Sequence, residues 1–129
     1  MASLHYISPF FIVKNLTKSV GFYVENLGFE VRYIGPEGNP FFAIVGRDQI
    51  SIMVKEITVD VQPTANHTQH EWARWDAYIY AEKPDDLFEE YYSKGVAFHQ
   101  SIQNTDDGLR GFEVMDADGY VLFFGQPLG

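Results

Sequence analysis

The chain has 129 residues, nine Lys and Arg against eighteen Asp and Glu, a formal net charge of −9 and no cysteine. Such a length suits one domain that buries a core without covalent staples. The negative charge opposes nucleic acid, and the lack of cysteine excludes a disulfide framework, a thiolate metal site and a cysteine nucleophile.

In chain order, an extended run from Ile7 to Val13 leads into a helical stripe of Leu16, Val20, Tyr23 and Leu27. Gly28 closes that stripe at the position where positive φ is cheap only for glycine. Phe29 to Tyr33 reads as a strand, followed by the apolar runs Phe41 to Val45 and Ile50 to Val54 across the polar turn Gly46-Arg47-Asp48-Gln49. Thr58 to Glu71 has neither period and reads as a surface connection. Its His67 and His70 have a spacing that on a helix brings both to one metal; with no helix predicted and no zinc-protease glutamate, a solvated pair is expected. Trp75 to Tyr80 is the next strand. Leu87, Phe88 and Tyr91 mark a second stripe, begun by Pro84 with Asp85 and Asp86 complementing the helix dipole, and Gly95 closes it. Val96 to His99 is extended, and the runs Phe112 to Met115 and Tyr120 to Phe124 flank Asp116-Ala117-Asp118-Gly119, a strong hairpin signal.

Ser8 to Glu56 and Trp75 to Gln126 thus repeat one order of strand, helix and three strands. The fold class expected is α+β: two βαβββ modules forming a curved mixed sheet with helices on the outer face and a cleft between the halves. The modules span about 5–57 and 74–127 of a single domain 1–129, with 58–73 as linker. No apolar run approaches the roughly 20 residues of a membrane helix, and no leader pattern is read at Met1-Ala2-Ser3-Leu4. A cytoplasmic protein with no membrane or nucleic-acid partner is expected.

Leu16-Thr17-Lys18-Ser19-Val20-Gly21-Phe22-Tyr23 and Asn26-Leu27-Gly28-Phe29-Glu30-Val31 resemble the first-module signature of the glyoxalase, bleomycin-resistance and extradiol-dioxygenase (vicinal oxygen chelate) superfamily. Gly108 to Val114, Asp116 to Tyr120 and Phe124-Gly125-Gln126-Pro127 are similar to its second-module ending. The resemblance implies a homodimer and, in the enzymes of the family, a divalent metal held by His, Glu or Gln. The matching positions here carry Ser8, Ser51, Trp75 and Phe123. None is the imidazole, carboxylate or thiolate donor that Zn, Fe, Mn or Ni takes, so neither metal nor other cofactor is expected. A slip of one residue in the second copy's first strand would turn Asp76 inward in place of Trp75.

Period-two alternation from Ser8 puts Phe10 and Ile12 on the concave face, from Trp75 it puts Ala77 and Ile79 there, and from Phe123 it adds Val121. Glu113 faces the same way, between Phe112 and Val114 on the helix side. The expected ligand-binding set is Phe10, Ile12, Trp75, Ile79, Glu113, Val121 and Phe123: an apolar slot with one negative handle, suited to a flat aromatic ligand carrying a cationic group. Two other readings stand beside it. Trp75 and Phe123 touch and close the slot, or Glu113 pairs with Arg110 or Arg32 as a surface ion pair.

Three functions follow. The first is a metal-independent protein that sequesters a small molecule, resembling the bleomycin-resistance members and their role in antibiotic resistance. The second is a glyoxalase- or dioxygenase-type enzyme, with metal on His5, His99 and Glu113 or with Glu113 as a metal-free general base. The third is a subunit-interaction module.

Overall fold

The computed structural model describes residues 1–129. Its elements are β1 (Phe10–Val13), α1 (Leu16–Gly21) running on as a π-helical turn (Phe22–Asn26), β2 (Glu30–Gly35), β3 (Phe42–Arg47), β4 (Ile50–Glu56), a 3₁₀ turn (Asn66–Thr68), β5 (Ala77–Tyr80), α2 (Pro84–Ser93), β6 (Phe98–Asn104), β7 (Leu109–Met115) and β8 (Val121–Pro127). Two compact units, Met1–Pro63 and Thr64–Gly129, each hold a four-stranded mixed sheet, ordered β1-β4-β3-β2 and β5-β8-β7-β6. In both, the first strand lies parallel to the last and every other pair is antiparallel. This is the α+β class with two βαβββ modules.

In the first module, Asn15 caps α1 by accepting from the Lys18 backbone N–H at 2.9 Å. The Glu56 carboxylate at the end of β4 accepts from Leu16 N–H at 2.8 Å, satisfying another of the free amides of the first turn. The stripe Leu16, Val20, Tyr23 and Leu27 is buried, as are Phe11, Val13, Ala43, Val45, Ile52 and Val54 on alternate strand positions. The helix ends as its sequence predicts: the Tyr23 carbonyl accepts from Phe29 N–H at 3.0 Å across Gly28, whose φ is +72°. On the other sheet face the side chains are half-buried or exposed, among them Phe10, Ile12, Phe42, Ile44 and Met53.

The second module buries a denser aromatic core. Phe112 and Phe124, cross-strand partners in β7 and β8, stack at 5.3 Å, and Tyr91 of α2 meets both edge-on at 6.0 and 5.7 Å. Phe88 and Phe98 extend the cluster at 4.4 Å. Pro84 opens α2, and Arg110 of β7 holds the Asp85 carboxylate through Nε at 2.9 Å and Nη2 at 2.6 Å, fastening the helix start to the sheet. Asp116 shapes the β7–β8 hairpin, its carboxylate accepting from Asp118 and Tyr120 N–H at 2.9 and 3.0 Å, with Gly119 at φ +92°.

The connection contains one turn of helix that its composition does not signal, Asn66–Thr68. Asp76 anchors it: one carboxylate oxygen accepts from Asn66 N–H at 2.8 Å and the other from Val121 N–H at 2.8 Å. Asp76 is thus a structural bracket at the entry to β5. No helix of the chain is long and apolar enough to cross a membrane.

Candidate functional site

The candidate site is built on the sheet face of the second module that points away from α2. Register decides its membership, because paired residues on neighbouring strands share a face. Tyr78, Phe123 and Glu113 form one cross-strand row, and Ile79, Phe124 and Phe112 form the next on the opposite face. This corrects the alternation counted from Trp75. The strand begins only at Ala77, so Trp75 precedes the pleat, Ile79 turns toward the helix side beside Phe124, and Tyr78 takes the face assigned to Ile79.

A ring stack lies along this face. Phe123 has Trp75 at 4.5 Å and an interplanar angle of 26°, and Tyr78 at 5.6 Å and 14°; Trp75 and Tyr78 are 5.7 Å apart. Phe123 lies flat because two glycines pair beneath it. Gly111 and Gly125 are partners in the β7–β8 register, and a Cβ at either would meet the Phe123 ring at 2.5 or 2.7 Å. The consequence is a layered surface: Phe123 and Val121 are fully buried, while Tyr78 is 42% and Tyr80 59% exposed. Partial loss of water raises the Tyr78 pKa above the ordinary phenol value, with Tyr80 adding to the shift, so Tyr78 presents a neutral hydroxyl. Arg74 sets its guanidinium 5.4 Å from the centre of the Trp75 ring, a cation–π contact, and also reaches Asp107 at 3.5 Å.

Glu113 stands at the end of the stack. It is 2% exposed, and both carboxylate oxygens are used: Oε2 accepts from Trp75 Nε1–H at 3.1 Å, and Oε1 bonds His99 Nδ1 at 2.8 Å. The surface ion-pair reading is therefore corrected: Arg110 binds Asp85, and Arg32 binds Glu30 and the carbonyls of Asp48 and Ile50. A β-bulge brings His99 in, since Phe98 pairs with Val114 and Gln100 with Glu113, leaving His99 as the extra residue. His67 from the 3₁₀ turn lies with its ring 5.7 Å from that of His99, and its Nε2 bonds the Gly119 carbonyl at 2.9 Å. His67 is thus held by the hairpin and is no member of a solvated pair, whereas His70 is exposed beside Trp72 at 5.5 Å.

The remaining predicted residues belong to the first module. Phe10, 53% exposed, stacks on Phe42 at 6.3 Å, and Ile12 shares its face two residues on. The four residues that the sequence resemblance equates with metal ligands pair off within each module. Ser8 Oγ donates to the Ser51 carbonyl at 2.9 Å with the two hydroxyls 3.4 Å apart, and Trp75 stacks on Phe123. Two hydroxyls, an indole and a phenyl ring are not a donor set for a divalent transition metal. No group of three or more His, Asp and Glu side chains is arranged to hold an ion, and the His5 ring is bonded to the Ser3 hydroxyl at 3.1 Å.

Comparison with known proteins fits this architecture. A bleomycin-binding protein from bleomycin-producing Streptomyces verticillus, solved with copper(II)-bleomycin, shares 23% identity over 100% of this chain and 99% of its own, with a TM-score of 0.70. TnmS3, an antibiotic binding protein from Streptomyces sp. CB03234, shares 22% over 98% of both chains, TM-score 0.73. A glyoxalase-related enzyme from Clostridium phytofermentans shares 16% over 98% of both, TM-score 0.74. At these identities the likeness concerns the fold. No curated protein sequence matches the chain. The profile of one family matches residues 3–124, nearly the whole length. The chain belongs to the Glyoxalase/Bleomycin resistance protein/Dioxygenase superfamily.

Proposed function

We propose that this protein binds a flat aromatic small molecule without a metal, sequestering it as the antibiotic-binding members of its superfamily do, and that it works in the cytoplasm as a single-domain homodimer. The observation that carries the reading is the ring stack of Trp75, Tyr78 and Phe123, and the sequence resemblance equates Trp75 and Phe123 with positions where metal-dependent relatives would need donor atoms. Stacking on such rings is worth about 0.5–1.5 kcal/mol per pair beyond area burial, so a planar ligand gains most. Two solved structures of the same fold are of an antibiotic binding protein and a bleomycin-binding protein, which supports a small-molecule ligand here. The net charge of −9 favours a ligand carrying a cationic group, while the Glu113 carboxylate is already engaged by His99 and Trp75.

Trp75 is its own reporter. With exposed Trp72 replaced by Phe, titration with bleomycin is expected to change the remaining tryptophan fluorescence saturably, and Trp75→Tyr to reduce affinity while Tyr78→Ala and Trp75→Ala abolish binding measured by dialysis. Absence of saturable binding across a panel of planar aromatic antibiotics contradicts the reading. One observation favours a second reading, a metal-free acid–base enzyme: the His99–Glu113 pair, an imidazole oriented by a buried carboxylate. Turnover of a glyoxalase- or dioxygenase-type substrate by metal-stripped protein, lost in His99→Asn, would establish it.

A further inference from the structure

We infer that the polar group with which this site recognises its ligand is Nε2 of His99, and that Glu113 is a positioning residue that sets the His99 tautomer. The ligand class is then a planar aromatic carrying an N–H or O–H donor at its edge. The inference rests on the proposed aromatic site and adds what the ring stack alone does not specify.

Trp75 Nε1–H can only donate, so Glu113 Oε2 must accept from it, at 3.1 Å. The second oxygen, Oε1, sits 2.8 Å from His99 Nδ1. An ionised carboxylate only accepts, so Nδ1 must carry the proton. In the neutral imidazole, Nε2 is then a bare lone pair, and it makes no hydrogen bond within the chain. The His99 side chain is 37% exposed against 3% for Glu113, so the buried carboxylate is screened from a ligand and the imidazole is not. His67 is fixed in the opposite sense: its Nε2 faces the Gly119 carbonyl, which only accepts, so Nε2 bears its proton. One carboxylate bridges imidazole and indole, so His99 and Trp75 are held on the two oxygens of the same buried group.

The chain of bonds predicts an inversion. In Glu113→Gln the amide has one accepting oxygen and one donating nitrogen. Trp75 cannot change, so the oxygen turns to the indole and the NH₂ group turns to His99 Nδ1, which must then accept. The imidazole proton moves to Nε2, and the edge of the site changes from acceptor to donor.

The test uses the whole protein with ¹⁵N-labelled histidine, followed by NMR above the imidazole titration. Wild type is expected to show His99 as the Nδ1–H tautomer and Glu113→Gln the Nε2–H tautomer, with His67 unchanged. Affinities for 2-naphthol and 2-methoxynaphthalene, read by NMR shifts, give the functional arm. Wild type should prefer the naphthol by about three- to tenfold, the range of one net hydrogen bond, and Glu113→Gln should lose or reverse that preference. His99→Asn, which keeps a donor for Glu113 and removes Nε2, serves as second variant if Glu113→Gln does not fold, and should bind both probes alike. An Nε2–H tautomer in wild type overturns the inference. Equal affinity for the two probes also overturns it, and leaves the aromatic site standing if Trp75→Ala abolishes both. If neither probe binds wild type, the aromatic site and this inference fall together.

Discussion

Phe123 owes its position to the absence of two methyl groups. With Gly111 and Gly125 opposite each other under its ring, a Cβ at 125 would also come within 2.4 Å of the Arg110 carbonyl. Gly125→Ala should therefore destabilise the protein by about 1–3 kcal/mol, the usual cost of overpacking, and tilt Phe123 off the sheet, which near-ultraviolet circular dichroism and denaturant melts would detect. Glu113 is the other decisive residue. Glu113→Ala leaves the donors of His99 and Trp75 without their acceptor and opens space beside the buried Phe123. A loss of about 1–3 kcal/mol is expected in the same melts, larger than for Glu113→Gln, which keeps a partner for each group. This role was hidden from sequence inspection. Period-two counting places Glu113 on the right face, but only the bulge at His99 supplies its partner, and bulges leave no mark in an alternating pattern.

At the level of elements, the parts most legible in the sequence are those held by local rules. The stripe Leu16, Val20, Tyr23, Leu27, the glycine closures at positions 28 and 95, and the Asp116 to Gly119 hairpin all follow from side-chain period and turn chemistry, and all appear in the fold. The face of β5 was not legible, because Trp75 lies before the strand and its direction is set by stacking on Phe123 and by the Asp76 bracket. Two elements carry direct tests. Asn15→Ala removes the α1 cap and should cost about 1 kcal/mol in a denaturant melt. The Asp85 carboxyl is held below its ordinary pKa by hydrogen bonds from Arg110. A depressed carboxyl stabilises above its unfolded pKa and loses that contribution as pH falls through its folded pKa. The difference in thermal midpoint between wild type and Asp85→Asn should thus be constant from neutral to mildly acid pH, vanish below the carboxyl range, and shrink in high salt because Asp85 is exposed and Arg110 only half-buried.

For the whole molecule, duplication is the feature on which fold and function meet. The same strand–helix–three-strand unit occurs twice, and the four positions that the sequence resemblance equates with metal ligands hold serine, serine, tryptophan and phenylalanine. Protein purified without chelators should therefore carry less than a stoichiometric amount of any transition metal by elemental analysis. One tightly held ion per chain, lost in His99→Ala, would reverse the proposed order of binding protein over metalloenzyme. Ring stacking on the second module is the grip proposed for this superfamily member on its ligand. A crystal structure with a bound planar antibiotic tests it most directly. The ligand's ring is expected within stacking distance of Trp75 or Tyr78 with Phe123 beneath, and a ligand held through a coordinated ion with those rings untouched would overturn the stacking mode.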